Sequence, residues 1–300
     1  MNCFKTLFLL FLLILGCLKL PKHYAEWTSG FRLSSCHLDL PNRPEWEPKR
    51  PDPHTLLILS QPFSLYQRGS QAYVFLSQDR QYVLKIFAKP LKNYVFPYRF
   101  HLRFHHKPQE PYRTLIEKGA RGYHLASKLP PFATGLIYTH LNITNNLLPS
   151  IPLRDAFGRR YTLPLDGYRF VLQRTCKPLT LALTQSARTN PKQTQQLIQS
   201  YFKTISLRAS FDIKNCDTEF KKNFGVLDGK VVEFDCGEYA PLAPEQQELE
   251  LATFQDRIRY WIERHLPQYS EWVDCFKMDQ PYEIISSECY DAIQPSEVGS

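Results

Sequence analysis

An α+β fold in two lobes, the first built mainly of strands and the second mainly of helices, is the architecture this chain predicts. Three observations carry that expectation. Short apolar runs separated by tight polar breaks crowd residues 55–87 and return in LIYTHLN and YRFVLQRT. Apolar residues at helical spacing take over after Pro178. One Asp-Gly hairpin signal interrupts that helical half. The 300 residues suffice for one large domain or two small ones, with a core that needs no disulfide staples. A hydrophobic fraction of 43% with no internal repeat excludes intrinsic disorder, collagen, coiled coils and solenoids.

The strand-rich part begins with LLIL after Thr55, followed by AYVFLS and QYVLKIF, the last two joined as a hairpin across Ser77-Gln78-Asp79-Arg80. Tyr112, Leu115, Ile116, Ala120, Tyr123 and Ala126 mark an amphipathic helix over 112–129, in spite of Gly119 and Gly122. The stretch 143–167 is too rich in Pro, Asn and Gly for a long element. In the second half, Leu197, Ile198, Tyr201, Phe202 and Ile205 define a helix over 192–207. Leu251, Phe254, Ile258, Trp261 and Ile262 define another over 245–266. FGVL and KVVEF between them form a hairpin across Asp228-Gly229. The expected domains are 54–177 for the β-rich lobe and 178–300 for the small helical lobe.

Two segments precede them. Lys5, the unbroken apolar run Leu7–Leu15 and the Gly16-Cys17 close mark residues 1–20 as a signal peptide or membrane anchor. The run falls short of the roughly 18 to 20 residues that cross a bilayer comfortably. Ile14-Leu15-Gly16-Cys17 resembles a bacterial lipobox, which implies acylation at Cys17. Lipoprotein signal, plain secretory signal and uncleaved anchor all remain open, and the expected location is membrane-associated or exported. Residues 21–53, with PNRPEWEPKRPDP, read as a Pro-rich linker that wraps a surface.

Lys and Arg number 37 against 29 Asp and Glu, a net charge of +8 spread along the chain. Such charge suits phosphate ligands, an anionic membrane or nucleic acid. Nucleic acid is not expected as a partner, because no zinc spacing, basic helix or RNA-binding aromatic motif accompanies the charge. His101, His105 and His106 in YRFHLRFHH read as a solvated basic loop, with metal or an anionic surface as the alternative. The eight cysteines form no C-x-x-C pair. Leaving out Cys3 and Cys17, the six in the body permit disulfides without demanding them. The sequon Asn142-Ile143-Thr144 recurs by chance too often to carry weight.

The residues with chemistry stand in a particular order. Gly69 sits in a turn between strands, Lys85 inside VLKIF on the next strand, Glu117 on the following helix, then Asn223 and Asp235 in KKNFGVLDGKVVEFDCG. In this order and spacing the chain resembles the protein-kinase-like fold family over roughly residues 55–240, and in particular uncharacterised kinase-like proteins of chlamydia-like bacteria. The resemblance implies ATP and Mg2+ as cofactors. Gly69 would cover the nucleotide phosphates, Lys85 would hold the α/β-phosphates while paired with Glu117, and Asn223 with Asp235 would bind the metal. The physical rationale for each is independent: a strand lysine is a point-charge clamp for phosphate, and a hard magnesium ion needs oxygen donors such as a carboxylate. Asn223 precedes the hairpin and Asp235 follows it, a spacing that would let the two converge at one end of adjacent strands.

Departures from the family pattern are equally specific. Cys236 stands where Asp-Phe-Gly has phenylalanine, the Gly69 turn has a single glycine, and Ala243-Pro244-Glu245 follows Gly237 so closely that it reads as a helix start. The expected catalytic base is Asp217, six positions before Asn223 instead of five, with neither His nor Arg ahead of it and with Asn215 and Asp212 as rivals. The leading function is an atypical ATP/Mg-dependent phosphotransferase acting on an unknown protein or small-molecule hydroxyl. A catalytically inactive pseudokinase serving as a binding module is the alternative, and an envelope structural protein linked through cysteines is the third.

Overall fold

The computed structural model describes residues 27–90 and 112–274, together with the single positions 6, 8, 13 and 16. Lys5, Cys17 and the rest of the apolar leader's core, the trio His101, His105 and His106, and Cys3, Cys275 and Cys289 lie outside the described residues. The chain divides into two compact units, Met1–Cys176 with Phe234–Tyr239, and Lys177–Glu233 with Ala240–Ser300. Both units mix helices and strands, so the α+β class holds. Among the described residues, no helix is long and apolar enough to cross a membrane.

The first unit is built on a seven-stranded sheet in the order β4-β7-β3-β2-β1-β5-β6. Its strands are β1 Phe63–Arg68, β2 Ala72–Ser77, β3 Tyr82–Phe87, β4 Leu136–His140, β5 Ser150–Arg154, β6 Arg160–Pro164 and β7 Phe170–Arg174. β2 and β3 pair antiparallel with Tyr73 opposite Ile86 and Val74 opposite Lys85. On its other side β3 pairs antiparallel with β7, Lys85 opposite Val171. Lys85 therefore sits in the middle of the sheet, with hydrogen-bonded neighbours on both sides. Among the described residues, the α-helices that accompany the sheet are α1 Pro53–Leu59, α2 Tyr112–Ala126 and the single turn α3 Pro131–Thr134. Phe63, Tyr73, Phe75, Leu84, Ile86 and Phe170 are among the buried residues of its core.

Three expectations change here. LLIL is the body of α1 and not a strand, because Asp52 caps the helix by accepting from the Thr55 N–H at 2.6 Å and Pro53 takes the first turn. Thr55, Ile58 and Leu59 then face inward at helical spacing. The first strand is FSLYQR, which alternation alone hid behind a bulge between Leu65 and Gln67. The stretch 143–167 holds two short strands, β5 and β6, paired antiparallel from Ser150–Pro164 to Arg154–Arg160.

The segment ahead of α1 is packed into the unit. Cys36 and Trp46 are buried. The Tyr73 hydroxyl donates to Gly30 O at 2.6 Å and the Tyr138 hydroxyl to Lys49 O at 2.7 Å. Arg169, itself buried, donates to Leu40 O at 2.7 Å, to Asn42 Oδ1 at 3.2 Å and to Leu141 O at 2.8 Å. Asn142 exchanges two hydrogen bonds with the Arg43 main chain, at 2.9 and 2.7 Å. The sequon asparagine is thus buried and fully used.

The second unit carries β8 Lys177–Pro178, α4 Leu179–Thr189, α5 Pro191–Ala209, β9 Ile213–Asn215, the short turn α6 Phe220–Asn223, the hairpin β10 Phe224–Leu227 with β11 Lys230–Glu233, α7 Gln247–His265 and α8 Ser270–Asp274. α4 went unread: its apolar residues crowd into the first turns, LTLAL, instead of recurring at helical spacing along its length. α5 starts as its sequence dictates, with the Asn190 side chain accepting from Gln193 N–H and Pro191 in the first turn. The hairpin turns on Asp228 and Gly229, at φ 49° and 76°, the left-handed pair a two-residue turn requires. Leu183, Ile198, Tyr201, Phe224, Phe254 and Ile262 fill the core between helices and hairpin.

Candidate functional site

Within the first unit, four pieces far apart in sequence meet around Lys85. The strand presents the lysine half-buried, flanked by the buried Leu84 and Ile86. Its Nζ donates to the Tyr123 hydroxyl on α2 at 2.8 Å and to the Phe234 carbonyl at 2.9 Å. The ammonium also lies 5.3 Å from the Tyr123 ring centre and 5.7 Å from that of Phe234. Gln173 on β7 adds a second donor to the Phe234 carbonyl at 3.1 Å. Asp235, the next residue, is exposed.

Tyr123 is almost wholly buried. Burial first, then the Asp235 charge, holds its phenol well above the usual range, so it stays protonated. Cys176 is near enough for the Lys85 charge to act on it, yet burial dominates and pushes its thiol up to about 11. Cys36, Cys176, Cys216 and Cys236 are free thiols.

The approach of α2 to the Asp235 segment explains the two glycines in an otherwise ordinary helix. A Cβ on Gly122 would stand 2.3 Å from Cys236 O and 2.8 Å from the Gly237 carbonyl carbon, so only glycine lets the helix rest on that backbone. A Cβ on Gly119 would meet the Gln71 side chain at 2.2 Å. Gln71 belongs to the turn that follows Gly69, and its amide donates to Glu238 Oε1 at 3.3 Å. Glu238 also pairs with Lys118 at 2.5 Å. The Gly69 turn is thereby tied to both α2 and the Asp235 segment. Gly69 N–H donates to Ala72 O at 2.8 Å, and a Cβ there would meet only that oxygen, at 3.6 Å, so the turn has no steric demand for glycine.

Glu117 is where the site departs from the expected pairing. Its carboxylate is held by Arg43 from the segment ahead of α1, at 3.1 Å, while Lys85 is held by Tyr123 and Phe234. Sequence reasoning missed Tyr123 as a site residue because it fits the apolar stripe of α2, and its hydroxyl left no pattern.

In the second unit, Asn223 ends α6 with its side chain buried. Its Nδ2 donates to Asp217 O at 2.9 Å, and its Oδ1 is buried with no hydrogen-bond partner. An orphaned buried amide oxygen suits a cation. Asp217 is half-exposed, and its Oδ1 accepts from Glu219 N–H at 3.1 Å. Asn215 organises the loop: its Oδ1 accepts from Asp217 N–H at 2.9 Å and its Nδ2 donates to Glu233 Oε1 at 2.8 Å. Behind it lies an ion cluster. Arg208 binds Glu233 at 2.9 Å and Glu250 at 2.7 Å, with Arg208 and Glu233 both buried. The legible sign of this cluster was an acid, Glu233, inside the apolar run KVVEF. Among the described residues, no group of three or more His, Cys, Asp or Glu side chains gathers as a metal cage.

No protein-family model matches the chain, and no curated protein matches it. Among solved structures, a co-crystal structure of WbdD with the kinase inhibitor LY294002 is similar over 71% of this chain and 42% of that chain, with 9% identity and a TM-score of 0.40. A structure of WbdD described as a bifunctional kinase-methyltransferase is similar over 69% of this chain and 40% of that one, with 11% identity and a TM-score of 0.37. The chain spans about two fifths of the length of these proteins. Neither similarity bears on the resemblance to proteins of chlamydia-like bacteria.

Proposed function

We propose that the chain is an atypical kinase-like phosphotransferase, dependent on ATP and Mg2+, that acts on a hydroxyl of a protein or small-molecule acceptor. The observation that carries this reading is the meeting, within the first unit, of Tyr123 of α2 and the Phe234 carbonyl beside Asp235 at the Lys85 ammonium, with the Gly69 turn tied to α2 and to that segment through Gln71 and Glu238. When bound, ATP supplies the phosphoryl group and magnesium neutralises its charge. Lys85, fixed at mid-strand, offers a point charge to phosphate oxygens. Asp235 offers an exposed carboxylate to the metal. In the second unit, the reading assigns Asn223 Oδ1 as a further metal ligand, which its lack of a partner favours. Asp217 is assigned to accept the acceptor's hydroxyl proton. Glu117 drops out of the lysine's immediate partners because Arg43 occupies it.

The test is a melting curve with and without millimolar ATP and Mg2+. A ligand bound only by the folded state at a hundred times its Kd stabilises it by about 2.7 kcal/mol. The shift is expected in the native chain and lost in Lys85→Met. An unchanged curve would overturn the phosphotransferase and leave a binding module. That second reading draws on Asp217, whose carboxylate already accepts a main-chain N–H and has no His or Arg ahead of it. Residues 1–20 are proposed to bring the protein to a membrane, with acylation at Cys17 favoured over an intact anchor. Intact-mass measurement of the native protein decides this: a chain that starts at Met1 without lipid rules out the lipoprotein, and a soluble chain that starts near Lys19 rules out anchoring.

A further inference from the structure

We propose that Tyr123 is the positioning residue of this site, holding Lys85 in place, the task that a helix glutamate was expected to perform. The inference rests on the nucleotide-binding reading above. Its geometric basis is the hydroxyl on α2 that accepts from Lys85 Nζ at 2.8 Å, with the Phe234 carbonyl as the ammonium's other acceptor at 2.9 Å. A phenol serves here because its oxygen accepts from the ammonium without bringing a charge of its own.

Glu117 is not a second partner waiting to replace it. Tyr123 and Glu117 are six residues apart on α2, which places them about 120° apart around the helix and about 9 Å apart along it. With Tyr123 turned to Lys85, Glu117 faces elsewhere, and it is there that Arg43 binds it. Exchanging the two would require α2 to roll. The contact of Gly122 with the Cys236 and Gly237 backbone, too close for even a Cβ, leaves no room for a roll. Tyr123 is consequently a permanent partner of Lys85, and Glu117 anchors the segment that carries Arg43.

The experiment compares Tyr123→Phe with Glu117→Gln in the full chain, with three readouts. In the first, isothermal titration with ATP in the presence and absence of Mg2+, Tyr123→Phe is expected to raise the Kd for Mg-ATP about tenfold, the scale of one lost hydrogen bond to a charged group, and Glu117→Gln to leave it nearly unchanged. The second needs no nucleotide: acylation of Lys85 by an amine reagent, followed by mass spectrometry, is expected to speed up several-fold in Tyr123→Phe and not in Glu117→Gln. The third covers a Tyr123→Phe variant that fails to fold: the 19F signal of 3-fluorotyrosine at position 123 should move on Lys85→Met and stay put on Glu117→Gln. A native chain that binds no Mg-ATP but shows the acylation and 19F effects overturns the functional reading and upholds the Lys85–Tyr123 coupling. Equal losses in the two variants, or Lys85 acylation indifferent to Tyr123, overturn the inference.

Discussion

Lys85 is held by groups that remain in place as pH changes around neutrality, a phenol kept protonated and a main-chain carbonyl, so its position is set by geometry more than by charge pairing. On the phosphotransferase reading, Asp235 and Asp217 would separate by role. Asp235→Asn keeps side-chain size and removes only charge, so it should weaken the magnesium-dependent part of ATP binding in a titration while the melting temperature without ligand holds. Asp217→Asn should spare binding and abolish most turnover once an acceptor is identified. Equal losses of binding in the two would reverse their assignment. Glu233 is a different case. Buried against Arg208 with Asn215 on its other oxygen, it supports the Asp217 loop without facing solvent. Glu233→Gln keeps the side-chain size but removes one of the two carboxylates on Arg208, which Glu250 still pairs, so it should cost about 1.5–3 kcal/mol in a denaturant melt.

At the scale of elements, α2 rests directly on the main chain of the Asp235 segment at Gly122. Gly122→Ala forces a methyl against main-chain atoms at 2.3 Å and 2.8 Å that have no rotamer with which to escape. The expected cost is about 3 kcal/mol, at the upper end of the overpacking range, together with weaker Mg-ATP binding. Gly119→Ala meets mainly the end of the flexible Gln71 side chain, although Phe87 stands at 3.2 Å. The helix propensity gained there, about 1 kcal/mol, offsets much of the strain. Chemical denaturation of the two variants should therefore show a large loss for the first and a small one for the second. A comparable loss in both would mean that α2 does not rest on that backbone.

For the whole molecule, the segment ahead of α1 matters to the first unit as much as a strand does. Arg169, Tyr73, Tyr138 and Asn142 all spend their polar groups on residues 30–49. A chain shortened to begin at His54 should melt well below one that begins at Lys22, because Arg169 would lose its Leu40 and Asn42 acceptors and Tyr73, Tyr138 and Asn142 their main-chain partners. The pH dependence follows from His140. It is fully buried, its Nδ1 donates to Tyr168 O at 2.7 Å, and burial holds its pKa below the ordinary value of 6.5. The unfolded chain then binds a proton that the folded one refuses, so this residue's contribution to stability is complete above pH 6.5 and is lost as pH falls below it, levelling off beneath the folded pKa. Melting temperatures between pH 5 and 8 should fall on the acid side, and His140→Asn should flatten that slope.

By itself the amino-acid sequence determined the α+β class, helices read over 112–129, 192–207 and 245–266 whose ends the structure moves by two or three residues at most, and the hairpin on Asp228-Gly229. These are properties of local periodicity, caps and turn residues, and such signals are short-range. It also placed Lys85, Asp235 and Asn223 in order along the chain. Tertiary structure alone decided their partners. Arg43 lies 74 residues from Glu117 and Tyr123 lies 38 residues from Lys85, and no local pattern ranks an arginine in a Pro-rich stretch above a strand lysine as the partner of a helix acid. The two glycines of α2 read as helix weakness until the backbone beneath them is visible. LLIL read as a strand because four apolar residues fit either period, and only the Asp52 cap, together with burial of one helical face, separates the two. Pairing across long sequence separations is chosen by packing and by the cost of leaving a buried charge alone, and both depend on the fold being complete.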